Sequence, residues 1–186
     1  MLKLDPEAAR LLLERIAGGD EAALAELHRA FARRVFAFAS ARLRDDAAAE
    51  EAVADTFLEI WRHARRFRGE SQPSTWMFGI ARNIVLNKLR ARAPETDELD
   101  ETMPAEDLGA FEELAQKELR LGILRCMEAL SAVHRECLYL VFYEGLSLAE
   151  VAALQGCPEN TVKTRLFHAR RNIKGCLGGL REGHGT

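Results

Sequence analysis

The sequence is poor in every signal of β-structure. It holds two Tyr and few Thr, shows no sustained alternation of apolar and polar residues, and is rich in Ala, Leu, Glu and Arg. Strands draw on β-branched and aromatic residues, whereas those four residues favour helix. An all-α chain is expected. No apolar run approaches the roughly 20 residues that cross a bilayer, and no basic-then-apolar leader opens the sequence. Direct membrane insertion is therefore not expected. The four cysteines, Cys126, Cys137, Cys157 and Cys176, lack the paired spacing of a metal site. In a reducing compartment they read as small, buried apolar residues, with Cys126 and Cys137 about three helical turns apart and able to share a face. There is no Gly-rich phosphate loop, no His-x-x-Glu-His pair and no nucleophile with an evident base. The five His residues are scattered, and repeats and low-complexity tracts are absent. No enzyme activity, cofactor or metal is expected.

The net charge of −3 looks wrong for a nucleic-acid partner until it is read by segment. Residues 65–92 hold seven basic side chains and one acidic one, Glu70. Residues 93–118 hold ten acidic side chains and one Lys, and residues 159–186 hold six basic and two acidic. Two basic blocks flank an acidic one. The acidic stretch Pro94–Asp107 is proline-bounded and poor in large apolar residues, so it cannot bury enough surface to fold alone and reads as a linker.

The segment Leu146–Arg171 reads as two short helices joined by a tight turn. Ser147 and Glu150 form a Ser-x-x-Glu capping box for the first. Gly156 supplies the left-handed residue that ends it, and Pro158 fits the first helical position of the second. In that second helix Val162, Leu166, Ala169 and Ile173 form one buried stripe. Thr164, Phe167, His168 and Arg171, with Lys163 beside them, form another face. An aromatic among polar and basic residues suits a thymine methyl in a major groove. An ordinary helical hairpin with a solvated basic face is the bland alternative, but cap, glycine, proline and both stripes agree on a helix-turn-helix. Gly175, Gly178 and Gly179 are expected to end the last helix.

Upstream, helical patterns run from Leu11 to Ile16, from Ala22 to Leu43 and from Ala47 to Ala64, with Asp20 and Asp45-Asp46 as helix starts. Gly69–Ser74 reads as a loop, followed by a helix from Trp76 to Arg90. The 47–64 helix is expected to bury Val53, Phe57, Ile60, Trp61 and Ala64. Its other face carries Glu51, Asp55, Leu58 and Arg62, a solvated surface by default or a docking face for a basic or helical partner. In the 65–90 block, basic residues interleave with Phe67 and Trp76 around a Ser/Gln/Thr loop. A separated DNA strand offers phosphates to Arg and Lys, and unstacked bases to aromatic and small polar side chains. Asn83, Asn87 and Arg90 share one helical stripe, and an Asn amide can read a base edge.

Three of these segments, Asp55–Trp61, Thr75–Asn83 and Cys157–Arg170, resemble successive regions of bacterial RNA polymerase sigma factors of the extracytoplasmic-function group, in that family's order and with its acidic linker between. The resemblance covers nearly the whole chain. It implies two small helical domains, at 1–92 and 117–180, joined by the acidic flexible linker 93–116, with a short tail at 181–186. It implies that Glu51, Asp55, Leu58, Glu59 and Arg62 meet the β′ clamp of core RNA polymerase. Phe67, Arg68, Gly69, Ser71, Gln72, Ser74, Thr75 and Trp76 would hold a flipped minus-ten base, with Asn83, Asn87 and Arg90 beside it. Asn160, Thr161, Lys163, Thr164, Arg165, Phe167, His168 and Arg171 would contact the minus-thirty-five duplex. The implied partners are core polymerase (β′ clamp and β flap), promoter DNA and an anti-sigma factor. The implied location is cytoplasmic, with attachment to the inner membrane face only through that anti-sigma factor. Some positions depart from the family: Ser131 follows Leu130 where Pro is common, His168 stands where Arg is frequent, and Leu148 and Ala149 replace polar or aromatic residues. The departures leave the promoter sequence open. The alternative is an autonomous helix-turn-helix regulator with an N-terminal sensing domain, which would bind duplex tightly by itself, usually as a dimer.

Overall fold

A computed structural model describes residues 5–92, 126–127 and 129–182. The chain divides into two compact units, Met1–Glu98 and Leu99–Thr186. Among the described residues the regular structure is helical throughout. The acidic stretch expected as a linker lies outside the described residues.

Four helices build the first unit: α1 (Pro6–Ala17), α2 (Glu21–Leu43), α3 (Asp46–His63) and α4 (Pro73–Arg92). Each of the first three starts on an aspartate whose carboxylate takes otherwise unpaired N–H groups. Asp5 accepts from Glu7 and Ala8, Asp20 from Ala23 at 3.0 Å, and Asp45 from Ala48 at 3.0 Å. The Ala23 N–H, with Arg15 beside it, holds the Asp20 carboxyl below its ordinary range. The corner between α2 and α3 needs a left-handed residue, and Arg44 takes it at φ 51°.

The apolar stripes of α2, α3 and α4 meet in a core centred on Phe31, Phe38 and Phe78, all at most 1 % exposed. Phe78 packs its ring 5.1 Å from Phe31, tilted at 55°, and 5.5 Å from Phe38, edge-on at 65°, as aromatic quadrupoles prefer. The buried Arg34 guanidinium lies 4.3 Å over the Phe31 ring. Val53, Phe57, Ile60 and Ala64 are buried as expected, while Trp61 is only half-buried.

After α3 a single tight helical turn, Ala64–Arg66, leads into the loop. That loop lies two residues earlier in the chain than expected. Helix α4 begins at Pro73, so Ser74 is helical and the open chain spans Phe67 to Gln72. Proline suits a first helical position, because its missing N–H and fixed φ cost nothing there.

The second unit contains α5 (Ala132–Leu138), a wide π turn (Tyr139–Tyr143), α6 (Leu148–Gln155) and α7 (Glu159–Glu182). The capping box is present, with Ser147 and Glu150 satisfying each other's backbone N–H. Gly156 takes the left-handed φ of 65° that ends α6. Pro158 sits one residue earlier than expected, outside the helix, where its carbonyl accepts the first helical N–H groups from Thr161 and Val162. Val162, Leu166, Ala169 and Ile173 of α7 are all buried against α5 and α6.

Two expectations fail in this unit. Helix α7 does not end at Gly175 but continues through Gly178 to Glu182. Cys126 and Cys176 are not free thiols, because they form a disulfide with a Cα–Cα distance of 5.7 Å. Residues 50 apart in sequence meet because the chain entering the unit lies against the far end of α7. The buried Arg135 fixes that entry by donating to the carbonyls of Met127 at 2.9 Å and Leu130 at 2.8 Å. Cys137 is free and buried, as expected, and Cys157 is free and half-buried.

Candidate nucleic-acid interface

In the first unit, the turn after α3 and the start of α4 enclose a cleft of about 480 Å³. Phe67, Arg68, Ser71 and Trp76, expected at a DNA site, line it together with Arg65, Arg66 and Glu70, which were not singled out. The Phe67 and Trp76 rings stand 5.5 Å apart at 54°, forming an aromatic corner of the cleft. Gly69 turns the loop at φ 72° with open space where a β-carbon would stand, and Gln72 is exposed in the same loop. Ser74 is half-buried and Thr75 fully buried, so Thr75 faces the helical core rather than the opening. Arg65 is drawn back toward α1, donating to the Ala17 carbonyl at 2.9 Å.

Trp76, Asn83, Asn87 and Arg90 recur at spacings that place them on one line along α4. Asn83, Asn87 and Arg90 are exposed. The aromatic corner therefore continues as a stripe of amides and one guanidinium. A cationic, aromatic-walled cleft leading onto amide side chains suits an unpaired nucleic-acid strand, with phosphates against Arg and a base against the rings.

The docking face on α3 is less purely acidic than the sequence suggests. Lys88 of α4 reaches both predicted acids, 3.0 Å from Glu51 and 3.1 Å from Asp55. The hydrogen bond to Glu51 is the main cause that holds the Lys88 ammonium above its ordinary range. Glu59 is half-buried and paired with Arg62 at 3.0 Å and His63 at 3.1 Å. Leu58, on the same helix, is 46 % exposed, one of the few large apolar side chains left in solvent among the described residues.

In the second unit a cleft of about 260 Å³ runs along α7. Six predicted residues line it: Asn160, Thr161, Thr164, Arg165, His168 and Arg171. Lys163 and Phe167 lie outside the lining, Lys163 paired with Glu159 at 3.2 Å. Phe167 sits edge-on to His168 at 5.6 Å, with the Arg171 guanidinium 6.0 Å over its ring. Arg165 has an internal task as well. It donates to Gln155 Oε1 at 2.7 Å and to Cys157 Sγ at 3.4 Å, bracing α7 against the end of α6. Gln155 also receives the Cys137 thiol at 3.2 Å and donates to Glu136 at 3.0 Å. Burial pushes the Cys137 thiol up to about 12.

Two lining residues escaped sequence reasoning. Asn172 follows His168 by four residues, so the helical period could have found it. His134 comes from α5 and stacks on His168, ring centroids 6.1 Å apart at 24°. No spacing within one helix could reveal it.

Comparison with known proteins covers both units. Residues 27–95 match the family described as sigma-70 region 2, and residues 120–173 match sigma-70 region 4. The ECF RNA polymerase sigma factor SigK of Mycobacterium tuberculosis is 31 % identical over 172 residues, covering 89 % of this chain and 91 % of that protein. The ECF RNA polymerase sigma-E factor of Salmonella typhimurium is 32 % identical over 175 residues, 88 % of this chain and 91 % of its own. Among solved structures, CnrH in complex with the cytosolic domain of CnrY aligns with a TM-score of 0.67 at 22 % identity, covering 92 % of this chain and 98 % of its own. The sigma factor RpoE of Bartonella quintana, bound to the anti-sigma factor NepR, aligns at 0.60 and 24 % identity over 79 % of this chain and 91 % of its own. At those identities the two structures speak for the fold.

Proposed function

Since the chain belongs to the extracytoplasmic-function sigma factors of the sigma-70 family, we propose that its two units divide promoter recognition as the clefts suggest. The protein joins core RNA polymerase and directs promoter-specific initiation. It acts as a specificity subunit without chemistry of its own, in the cytoplasm. The observation that carries the division of labour is the first cleft, whose aromatic corner of Phe67 and Trp76 shares one line of α4 with the exposed Asn83, Asn87 and Arg90. That surface takes the minus-ten strand, a flipped base against the rings and neighbouring bases along the amides. The α7 face takes the minus-thirty-five duplex, with Lys163, Thr164, Phe167 and His168 nearest the base edges. Arg165 serves this face mainly by bracing the helix.

The α3 face meets the polymerase clamp. Lys88 holds Glu51 and Asp55 side by side, and exposed Leu58 supplies the apolar anchor that such a contact needs. The same leucine gives an anti-sigma factor a reason to cover this face while polymerase is absent. Both structural neighbours are complexes with a second protein, one of them named an anti-sigma factor. Such a partner can also hold the complex at the inner membrane face.

Run-off transcription with purified core polymerase, with and without this protein, on a pool of genomic promoters tests the role. Protein-dependent transcripts are expected, and their absence sinks it. Asp55→Arg should abolish association with core enzyme while leaving the helical circular dichroism intact. Normal association by that variant refutes the α3 docking face. A chain that instead binds palindromic duplex tightly as a dimer is an autonomous regulator.

A further inference from the structure

The cleft on α7 holds four groups that are cationic or can become so: Arg165, His168 and Arg171 from α7, and His134 from α5. Helix α6 contributes no charged side chain to its lining. Two carboxylates on the helices that form the cleft are engaged elsewhere, Glu136 with Gln155 and Glu159 with Lys163. The rest of the wall is amide and hydroxyl, including Asn160 and Thr164. A concave surface with donors, cationic groups and no carboxylate in its lining fits a single anion.

The two imidazoles are the unusual part. Their centroids stand 6.1 Å apart with planes 24° from parallel. That gap is too narrow for a ligand between the faces, so an anion must sit against the N–H edges. When both rings are neutral they stack at no electrostatic cost. When both are protonated they repel each other unless a negative group occupies the cleft.

We propose that His134 and His168 together grip one backbone phosphate of the minus-thirty-five duplex, so that engaging this element takes up protons. The inference rests on the α7 reading above and extends the DNA footprint to α5, outside the helix-turn-helix. The sign follows from linkage. An unperturbed imidazole titrates near pH 6.5. In the complex the phosphate favours protonation. Each imidazole therefore has a higher pKa in the complex than in the free chain. The gain in affinity is fully present below the free value and disappears as pH rises through the bound value. A rise of one unit at one imidazole tightens the complex about tenfold at the acid end.

The test uses the full chain and a fluorescent random-sequence duplex pool, because a phosphate contact is independent of sequence. Anisotropy is measured across a salt series at pH 5.5 and at pH 8. Wild type should bind more tightly at pH 5.5, and its slope of log K against log salt should steepen by about one unit. His134→Gln should remove roughly half of that steepening, and His134→Lys should steepen the slope at pH 8 while leaving only the His168 half dependent on pH. Arg171→Ala should weaken binding at both pH values. A His134→Gln variant with the wild-type pH dependence overturns the grip while leaving the α7 reading standing. Unchanged binding by Arg171→Ala overturns the α7 reading itself, and the grip with it.

Discussion

Reducing the Cys126–Cys176 disulfide should selectively destabilise the second unit. The bond joins residues 50 apart in sequence. Opening a loop of that length returns about 14 cal/mol/K of entropy to the unfolded chain, or about 4 kcal/mol at 25 °C on chain-entropy grounds. Small domains hold only about 5–15 kcal/mol in total, so the loss is a large part of what this unit has. The sequence carries its own control. Both tryptophans, Trp61 and Trp76, lie in the first unit. Their fluorescence follows that unit, while far-UV circular dichroism follows both. With a urea m-value of about 1–2 kcal/mol/M, a phosphine reductant should lower the second-unit midpoint by roughly 2–4 M. The tryptophan transition should stay in place. Replacing Cys126 and Cys176 with Ser should reproduce the shift without reductant. A dichroism midpoint that moves by less than about 0.5 M refutes the loop-closure argument.

Other outcomes can be stated briefly. Phe78→Ala removes the ring that joins Phe31 to Phe38 and should cost the first unit about 3–5 kcal/mol, read by tryptophan fluorescence in urea; a loss under about 1 kcal/mol means the core collapses around the gap. Gly156→Ala has open space around the new methyl, so its cost is that of the left-handed backbone alone, about 1–2 kcal/mol. Gly156→Asn should recover part of that loss, and equal stability of all three chains contradicts the cap assignment. Iodoacetamide at pH 8 should alkylate half-buried Cys157 and spare Cys137, whose thiol is pushed up to about 12 and carries almost no thiolate. Equal labelling of the two in the folded chain excludes the buried setting of Cys137.

What could be read from the sequence was what neighbours along the chain decide. Asp20, Asp45 and the Ser147–Glu150 box are caps made within four residues, and all three form. The α7 stripe and the six predicted residues of its cleft lie on one helix, so its period alone brings them together. What could not be read needs a second element. Lys88 meets Glu51 from 37 residues away, and His134 meets His168 from another helix. The disulfide required knowing where the entry to the second unit lies. Gly175 and Gly178 misled for a related reason. Each costs a helix about 1 kcal/mol relative to Ala, but Ile173 packs in the core just before them and Cys176 is covalently held between them. Tertiary anchoring outweighs a local preference of that size.

Gln155 has a consequence of another kind. Its single amide joins Glu136 and Cys137 of α5 to Arg165 of α7 from the last residue of α6. Three helices are thus indexed to one another by one side chain at the turn. On the proposed reading, α7 arrives at its target preorganised, its rotational freedom already surrendered during folding rather than at the moment of contact. Discrimination between targets then depends on the few side chains it displays and little on a helix that adjusts to fit. Such a mount also separates two kinds of change. Exposed positions of α7 can be exchanged to read a different sequence, whereas a change at Gln155 alters the angle at which every one of them is presented.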